Sequence, residues 1–188
     1  MEVRSLKIPE VLLLKPKRFG DERGFFSEVF KESQTIAAGI IERFIQDNHS
    51  FSAERGVIRG LHFQVPPKAQ GKLIRVIRGA IFDVALDIRQ GSPTYGQHVS
   101  AELSADNWSQ LWVPPGFAHG FCTLEPNVEV IYKVTAEYSP ADEGGVLWND
   151  AALGIGWPIS ADEAVLSGRD TKWPLMADLE SPFRYAGS

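Results

Sequence analysis

Short apolar segments alternate with turn signals along almost the whole chain. Val11–Leu14, Phe25–Phe30, Phe44–His49, Val57–Gln64, Leu73–Ile77, Ile81–Ile88, His98–Leu103, Leu111–Val113, Gly120–Leu124 and Val128–Val134 are rich in Val, Ile, Phe and Tyr. Between them stand turn formers such as Pro66-Pro67, Gln90-Gly91-Ser92-Pro93 and Pro114-Pro115-Gly116. Many short strands at this spacing predict an all-β antiparallel sandwich or barrel. A single helix is expected near Lys31–Gly39, with short helical turns at Ser104–Trp108 and Ser160–Leu166. No repeat or linker interrupts the pattern. One domain is expected over 1–188, with an N-terminal arm to about residue 30 and a C-terminal extension from about residue 175.

The two-residue period of a strand assigns faces. Phe82, Val84, Leu86 and Ile88 share one side of their segment, and Ile81, Asp83, Ala85 and Asp87 the other. Those two carboxylates fit a solvent-facing side as well as a functional one. Lys72 shares a face with Ile74 and Val76. Phe117, His119 and Phe121 share another, and so do Val130, Tyr132 and Val134. His62, Lys72, His119 and Tyr132 therefore lie on or at the ends of separate strands, where a barrel can converge them.

Composition narrows the setting. The 188 residues carry a formal net charge of −5, with 44% hydrophobic and 23% charged residues, as in ordinary globular proteins. There is no overall attraction to nucleic acid or anionic membrane, so an anion site must be a local cluster of cations. Cys122 is the only cysteine, which excludes an intrachain disulfide and fits a reducing cytoplasm. No segment has a signal-peptide core or the roughly 18 apolar residues of a membrane span.

The richest stretch is Val57-Ile58-Arg59-Gly60-Leu61-His62-Phe63-Gln64. It sets a cation, a glycine and an imidazole into an apolar strand, and buried polar groups require partners. For His62 alone, a hydrogen-bonded core histidine explains the pattern better than a catalytic one. Four isolated histidines also raise a metal site, but Gln64 stands where a metal-binding jelly roll places the second histidine of a His-x-His pair. A metal-free set of His62, Lys72, His119 and Tyr132 suits proton abstraction beside a carbonyl: an imidazole base, an ammonium at the developing oxyanion and a phenol as acid. Arg23, Arg59 and Arg169 form a candidate anion clamp. Arg59 and His62 are three residues apart, which a regular strand puts on opposite faces. If both touch one ligand, a bulge at Gly60 must re-aim one of them.

The chain resembles the dTDP-4-dehydrorhamnose 3,5-epimerases, a metal-free cupin family, from about Pro16 to Pro174. The motifs that carry the resemblance include Gly20-Asp21-Glu22-Arg23-Gly24-Phe25-Phe26, Gln46-Asp47-Asn48-His49-Ser50, Gly56–Gln64, Gly71-Lys72-Leu73, Val113–Phe121, Tyr132-Lys133 and Ser167-Gly168-Arg169-Asp170, all in family order. The resemblance implies a double-stranded β-helix jelly roll, without cofactor or metal, acting on dTDP-4-dehydro-6-deoxy-D-glucose. In that family His62 would be the base, Asp170 its partner, Lys72 the enolate stabiliser and Tyr132 the opposite-face acid. His119 would contact the sugar, and Arg59 the diphosphate with Arg23 and Arg169 in support. Lysine is common in the family at the position of Arg169. Glu28 and the Gln46-Asp47-Asn48 run would read thymine, Tyr138 would stack on it, Glu143 would touch the nucleotide sugar, and Phe19 and Phe26 would close the pocket. A homodimer is expected, with the arm carrying Phe19, Arg23, Phe26 and Glu28 across to the partner. The competing readings are an epimerase of one centre or a ketoisomerase of the same ketosugar, a metal-dependent cupin, and a non-catalytic nucleotide-sugar binder.

Overall fold

The alternating segments become β-strands in a computed structural model of the protein, which describes residues 1–187. In chain order these are β1 (Glu2–Ser5), β2 (Leu12–Lys15), β3 (Phe19–Asp21), β4 (Gly24–Phe26), β5 (Gln46–Ser52), β6 (Ile58–Gln64), β7 (Lys72–Arg78), β8 (Ala80–Asp87), β9 (His98–Ser104), β10 (Gln110–Val113), β11 (Phe117–Thr123), β12 (Val128–Val134) and β13 (Glu143–Gly145). One short helix, α1 (Glu32–Ala37), stands between β4 and β5. Two antiparallel sheets face each other as a jelly roll, one in the order β1-β2-β10-β7-β12-β5 and the other β13-β6-β11-β8-β9. β3 and β4 pair only with each other, as a hairpin. No helix among the described residues is long and apolar enough to cross a membrane.

Ile74, Val76, Ile81, Ala85, Phe121, Val128 and Val130 pack between the sheets. The predicted apolar faces of β7 and β12 are the ones buried there, whereas β8 turns its carboxylate-bearing side, with Ile81 and Ala85, between the sheets and its apolar stripe outward. The other side of the five-stranded sheet is also covered: Val84, Leu86 and Ile88 pack with Met176, Leu179 and Phe183 of the C-terminal segment. β8 therefore has no solvent-facing side, and Asp83 and Asp87 are both fully buried. Asp87 is satisfied locally by Arg89, Ser92 and Thr94.

Several expected elements change. The strand expected over Phe25–Phe30 ends at Phe26, because side chains rather than a ladder hold the residues from Ser27 to Val29. Trp108 Nε1 donates to Ser27 Oγ, and Gln110 Nε2 donates to the Val29 carbonyl. Ser104–Trp108 forms a turn rather than a helix, since Asn107 Oδ1 accepts from the backbone N–H groups of Ser104 and Ser109. Ser160–Leu166 is not helical either; Val165 bridges to Val57 in parallel. The first half of the expected arm belongs to the sheet body, with β1 on β2 and β2 on β10. Of the C-terminal extension, Ser188 lies outside the described residues.

β6 is irregular where the sequence requires it. His62 pairs with His119 and Arg59 with Phe121, so Gly60 and Leu61 together oppose the single residue Gly120. Gly60 has φ +148° and lies so close to the Gly120 backbone that a Cβ there has no room. The Gly60–Leu61 peptide is cis. Because His119 and Phe121 share a face, their partners His62 and Arg59 share it too. Ile58, Leu61 and Phe63 point to the opposite side, into the outer clusters.

Candidate active site

The inward residues of both sheets meet in a two-lobed cavity with volumes of about 260 and 170 Å³. His62, Lys72, Tyr132 and Arg169 line both lobes. Gln46, Asn48, Tyr138 and Glu143 belong to one lobe, and Arg59, His119 and Asp170 to the other. The five-stranded sheet supplies His62 and His119. The facing sheet supplies Lys72 and Tyr132. Base and acid candidates thus stand on opposite walls.

Each histidine holds a buried aspartate. His62 Nε2 lies 2.6 Å from Asp170 Oδ1. Asp170 is brought to it by the loop after Leu166 and also accepts from Ser167 Oγ at 2.5 Å. Burial pushes the Asp170 carboxyl up, but the hydrogen bonds from His62 and Ser167 outweigh it and leave the group below the ordinary carboxylate range. Asp170 therefore stays an anion able to orient the imidazole and stabilise it once protonated. His119 Nε2 lies 2.6 Å from Asp83 Oδ1. Burial lowers the pKa of His119, and Asp83 opposes that shift only in part.

Lys72 donates to the His62 carbonyl at 3.3 Å. Burial lowers its pKa to about 8, with Asp83 and Glu143 holding it up against a larger fall. Lys72 remains largely charged at neutral pH, in a low-dielectric site where one charge acts strongly. Burial also raises the Tyr132 pKa, so the phenol keeps its proton. A protonated phenol can donate, as an opposite-face acid must.

The polar periphery is a connected set. Arg169 Nη1 donates to Glu143 Oε2 at 2.7 Å and to Tyr138 Oη at 3.4 Å. Gln46 accepts from the Tyr138 N–H, and its amide donates to Asn48 Oδ1. Gln64 ties the β6–β7 loop to the loop that carries Tyr138: it donates to the Lys68 and Glu137 carbonyls and accepts from the Ser139 N–H. Arg59 donates to the Phe51 carbonyl at 3.1 Å and lines the same lobe as His62. Among the described residues no group of three His, Cys, Asp or Glu side chains could hold a metal ion.

Five expected site residues lie elsewhere. Asp47 falls on the outer face of β5, paired with Lys133 at 2.8 Å, because only the even-numbered positions of that strand turn inward. Phe19, Arg23 and Phe26 sit on the exposed β3–β4 hairpin, and Glu28 comes just after it; none lines this cavity. Arg23 pairs with Asp21, and Glu28 with Lys31.

Two polar groups in or behind the cavity wall escape a reading of the sequence. Asp83 is visible as a polar position in an apolar strand, but its burial depends on the facing sheet, against which Ile81 and Ala85 of the same side of β8 pack. Ser50 continues the inward series Gln46, Asn48 beyond the expected strand end, and its Oγ is buried without a partner.

A jelly roll whose walls set two histidine–aspartate pairs against a lysine and a tyrosine is an acid–base site of the cupin class. The chain matches the family model for dTDP-4-dehydrorhamnose 3,5-epimerase over residues 5–178. It is 52% identical to the dTDP-4-dehydrorhamnose 3,5-epimerase of Sinorhizobium fredii over 185 residues, covering 98% of this chain and 94% of that one. It is 53% identical to the Salmonella typhimurium enzyme of the same name over 178 residues, covering 94% and 96%. A crystal structure of the Legionella pneumophila dTDP-6-deoxy-D-glucose-3,5-epimerase, in complex with dTDP-4-keto-L-rhamnose, is 42% identical and covers 99% of both chains with a TM-score of 0.93. The chain belongs to the dTDP-4-dehydrorhamnose 3,5-epimerase family of isomerases.

Proposed function

We propose that this chain inverts C3 and C5 of dTDP-4-dehydro-6-deoxy-D-glucose to give dTDP-4-dehydro-L-rhamnose, through enolates of the C4 ketone. The observation that carries the reading is the opposition of the His62–Asp170 pair to Lys72 and Tyr132 across one cavity. With Nε2 bound to Asp170, the Nδ1 of His62 is the nitrogen left to take the carbon-bound proton. The electron pair of the broken C–H bond moves onto O4, where the Lys72 ammonium stabilises it. The Tyr132 hydroxyl then protonates the same carbon from the other side. Proton exchange with solvent resets both groups, and no redox step or cofactor is needed.

On this reading Arg59 and Arg169 bind the diphosphate, His119 the sugar and Glu143 the nucleotide sugar. Tyr138 stacks on thymine, with Gln46, Asn48 and the Asp47 backbone at its edge. Phe19, Arg23, Phe26 and Glu28 serve the pocket of a second copy in a homodimer. The exposure of three hairpin phenylalanines (Phe19 51%, Phe25 53%, Phe26 67%) supports that assignment. The compartment proposed is the cytoplasm.

The test is incubation of metal-stripped protein with the ketosugar in deuterated water, read by NMR. Deuterium at C3 and C5 is expected. Label at one centre reduces the activity to a single-centre epimerase, and no label at either refutes the enzymatic reading.

A further inference from the structure

The hairpin that this reading assigns to a neighbouring pocket is fastened to its own subunit around one side chain, Trp108. Trp108, on the loop between β9 and β10, is only 8% exposed. Its backbone is left-handed, with φ +62°. The preceding turn holds it there through reciprocal bonds between Ser104 and Asn107. Two guanidinium groups lie over its ring, Arg18 at 4.4 Å and Arg75 at 4.5 Å from the centroid. Arg18 also lies 4.2 Å from the Phe25 ring centre, and Phe25 meets Trp108 edge-on at 4.9 Å. Trp108 Nε1 donates to Ser27 Oγ, which in turn donates to the Lys17 carbonyl. Both ends of the hairpin, Lys17-Arg18 and Phe25–Ser27, therefore converge on one indole.

The charges fit a latch. Among the described residues neither Arg18 nor Arg75 forms a salt bridge. Arg75 is partly desolvated, which lowers its pKa. An aromatic face is the group that compensates a guanidinium without a carboxylate.

We propose that Trp108 is a positioning residue: with Arg18 and Arg75 over its ring it fixes the hairpin, and so sets the affinity of the pocket that Arg23 and Glu28 complete. The inference rests on the arm-exchange reading. Trp108 lines neither lobe of the cavity, so its loss should act on KM rather than on the proton-transfer step.

Trp108→Leu keeps apolar bulk and removes the cation-binding face. It should raise KM on the order of 10-fold, with kcat within about twofold. Trp108→Phe should restore part of the loss, and the exposed Arg18→Gln should reproduce it without touching the core. Unchanged KM in both Trp108→Leu and Arg18→Gln overturns the proposal. So does a fall in kcat with a lowered melting point in Trp108→Leu while Arg18→Gln behaves as wild type. Differently tagged heterodimers separate the latch from arm exchange. With His62→Ala and Trp108→Leu on the same chain, the one live site receives the loosened hairpin and its KM should rise. With the two substitutions on different chains, the live site receives an intact hairpin and KM should be normal. The reverse pattern retires arm exchange and leaves the latch standing.

Discussion

His62 and His119 are register partners on β6 and β11, and each binds its own buried aspartate through Nε2 at 2.6 Å. The pairs differ in what surrounds them. Asp170 is satisfied by both His62 and Ser167, whereas Asp83 Oδ2 is buried without a hydrogen-bond partner. Asp83 is thus the acceptor with capacity to spare, and its charge is felt by Lys72 as well as His119. On the proposed mechanism the first pair carries the proton, while the second holds a ring that burial keeps neutral beside a cation.

If Asp170 orients the base, Asp170→Asn should lower kcat by about 10²- to 10⁴-fold with little change in KM, the range of a general acid–base contribution. His62→Ala should abolish deuterium wash-in at both centres. A variant of Asp170 with wild-type exchange rates would remove it from the mechanism.

Tyr132→Phe should separate exchange from inversion. Proton removal by His62 does not need the phenol, so label should still enter the recovered substrate while inverted product falls at least about 10-fold. Equal loss of both would show that Tyr132 acts before or during proton abstraction.

Lys72 predicts a basic limb in the pH profile. Its pKa is depressed to about 8, so kcat should fall as pH rises through that value and the ammonium is lost. Asp83 holds this pKa up, so Asp83→Asn should move the limb to lower pH. Stability runs the opposite way. Between about 8 and 10.5 the native lysine binds fewer protons than the unfolded one, so the cost of burying the charge is present below 8 and is relieved as pH rises. Lys72→Met should therefore be inactive yet more stable, by something on the order of 2 kcal/mol. Thermal melts at pH 7 and a kcat profile from pH 6 to 10 check both.

Gly60→Ala should destabilise the fold by at least about 2 kcal/mol, since the site combines a left-handed φ of +148° with backbone contact to Gly120. Urea titration measures this, and a neutral substitution would mean that the backbone at Gly60 can move aside.

The cavity walls were legible because strand periodicity is local. Lys72 with Ile74, His119 with Phe121 and Tyr132 with Val130 all turn inward as their spacing predicts. The position of Asp83 was equally legible, but its environment was not. Whether that side of β8 is wet depends on what lies opposite it, and here the facing sheet does: Ile74, Val76 and Val130 pack with Ile81 and Ala85 on either side of Asp83. Asp47 shows the converse. A motif groups it with Gln46 and Asn48, but the strand period turns it outward to Lys133. The residues after Phe26 departed from expectation because single side-chain bonds from Trp108 and Gln110 decide their path.

The irregularity of β6 has one more implication. Removing Gly60 would leave Arg59, Leu61 and His62 opposite Phe121, Gly120 and His119 in an unbroken ladder, with the cation and the imidazole still facing inward. The extra residue is therefore not needed to choose the side of the sheet. What it adds is a local bend and extra twist between the two. β6 behaves as a bent bracket rather than a straight rail: the bend sets the angle between Arg59 and His62, and so, on the proposed reading, the shape of the molecule that can be held by both.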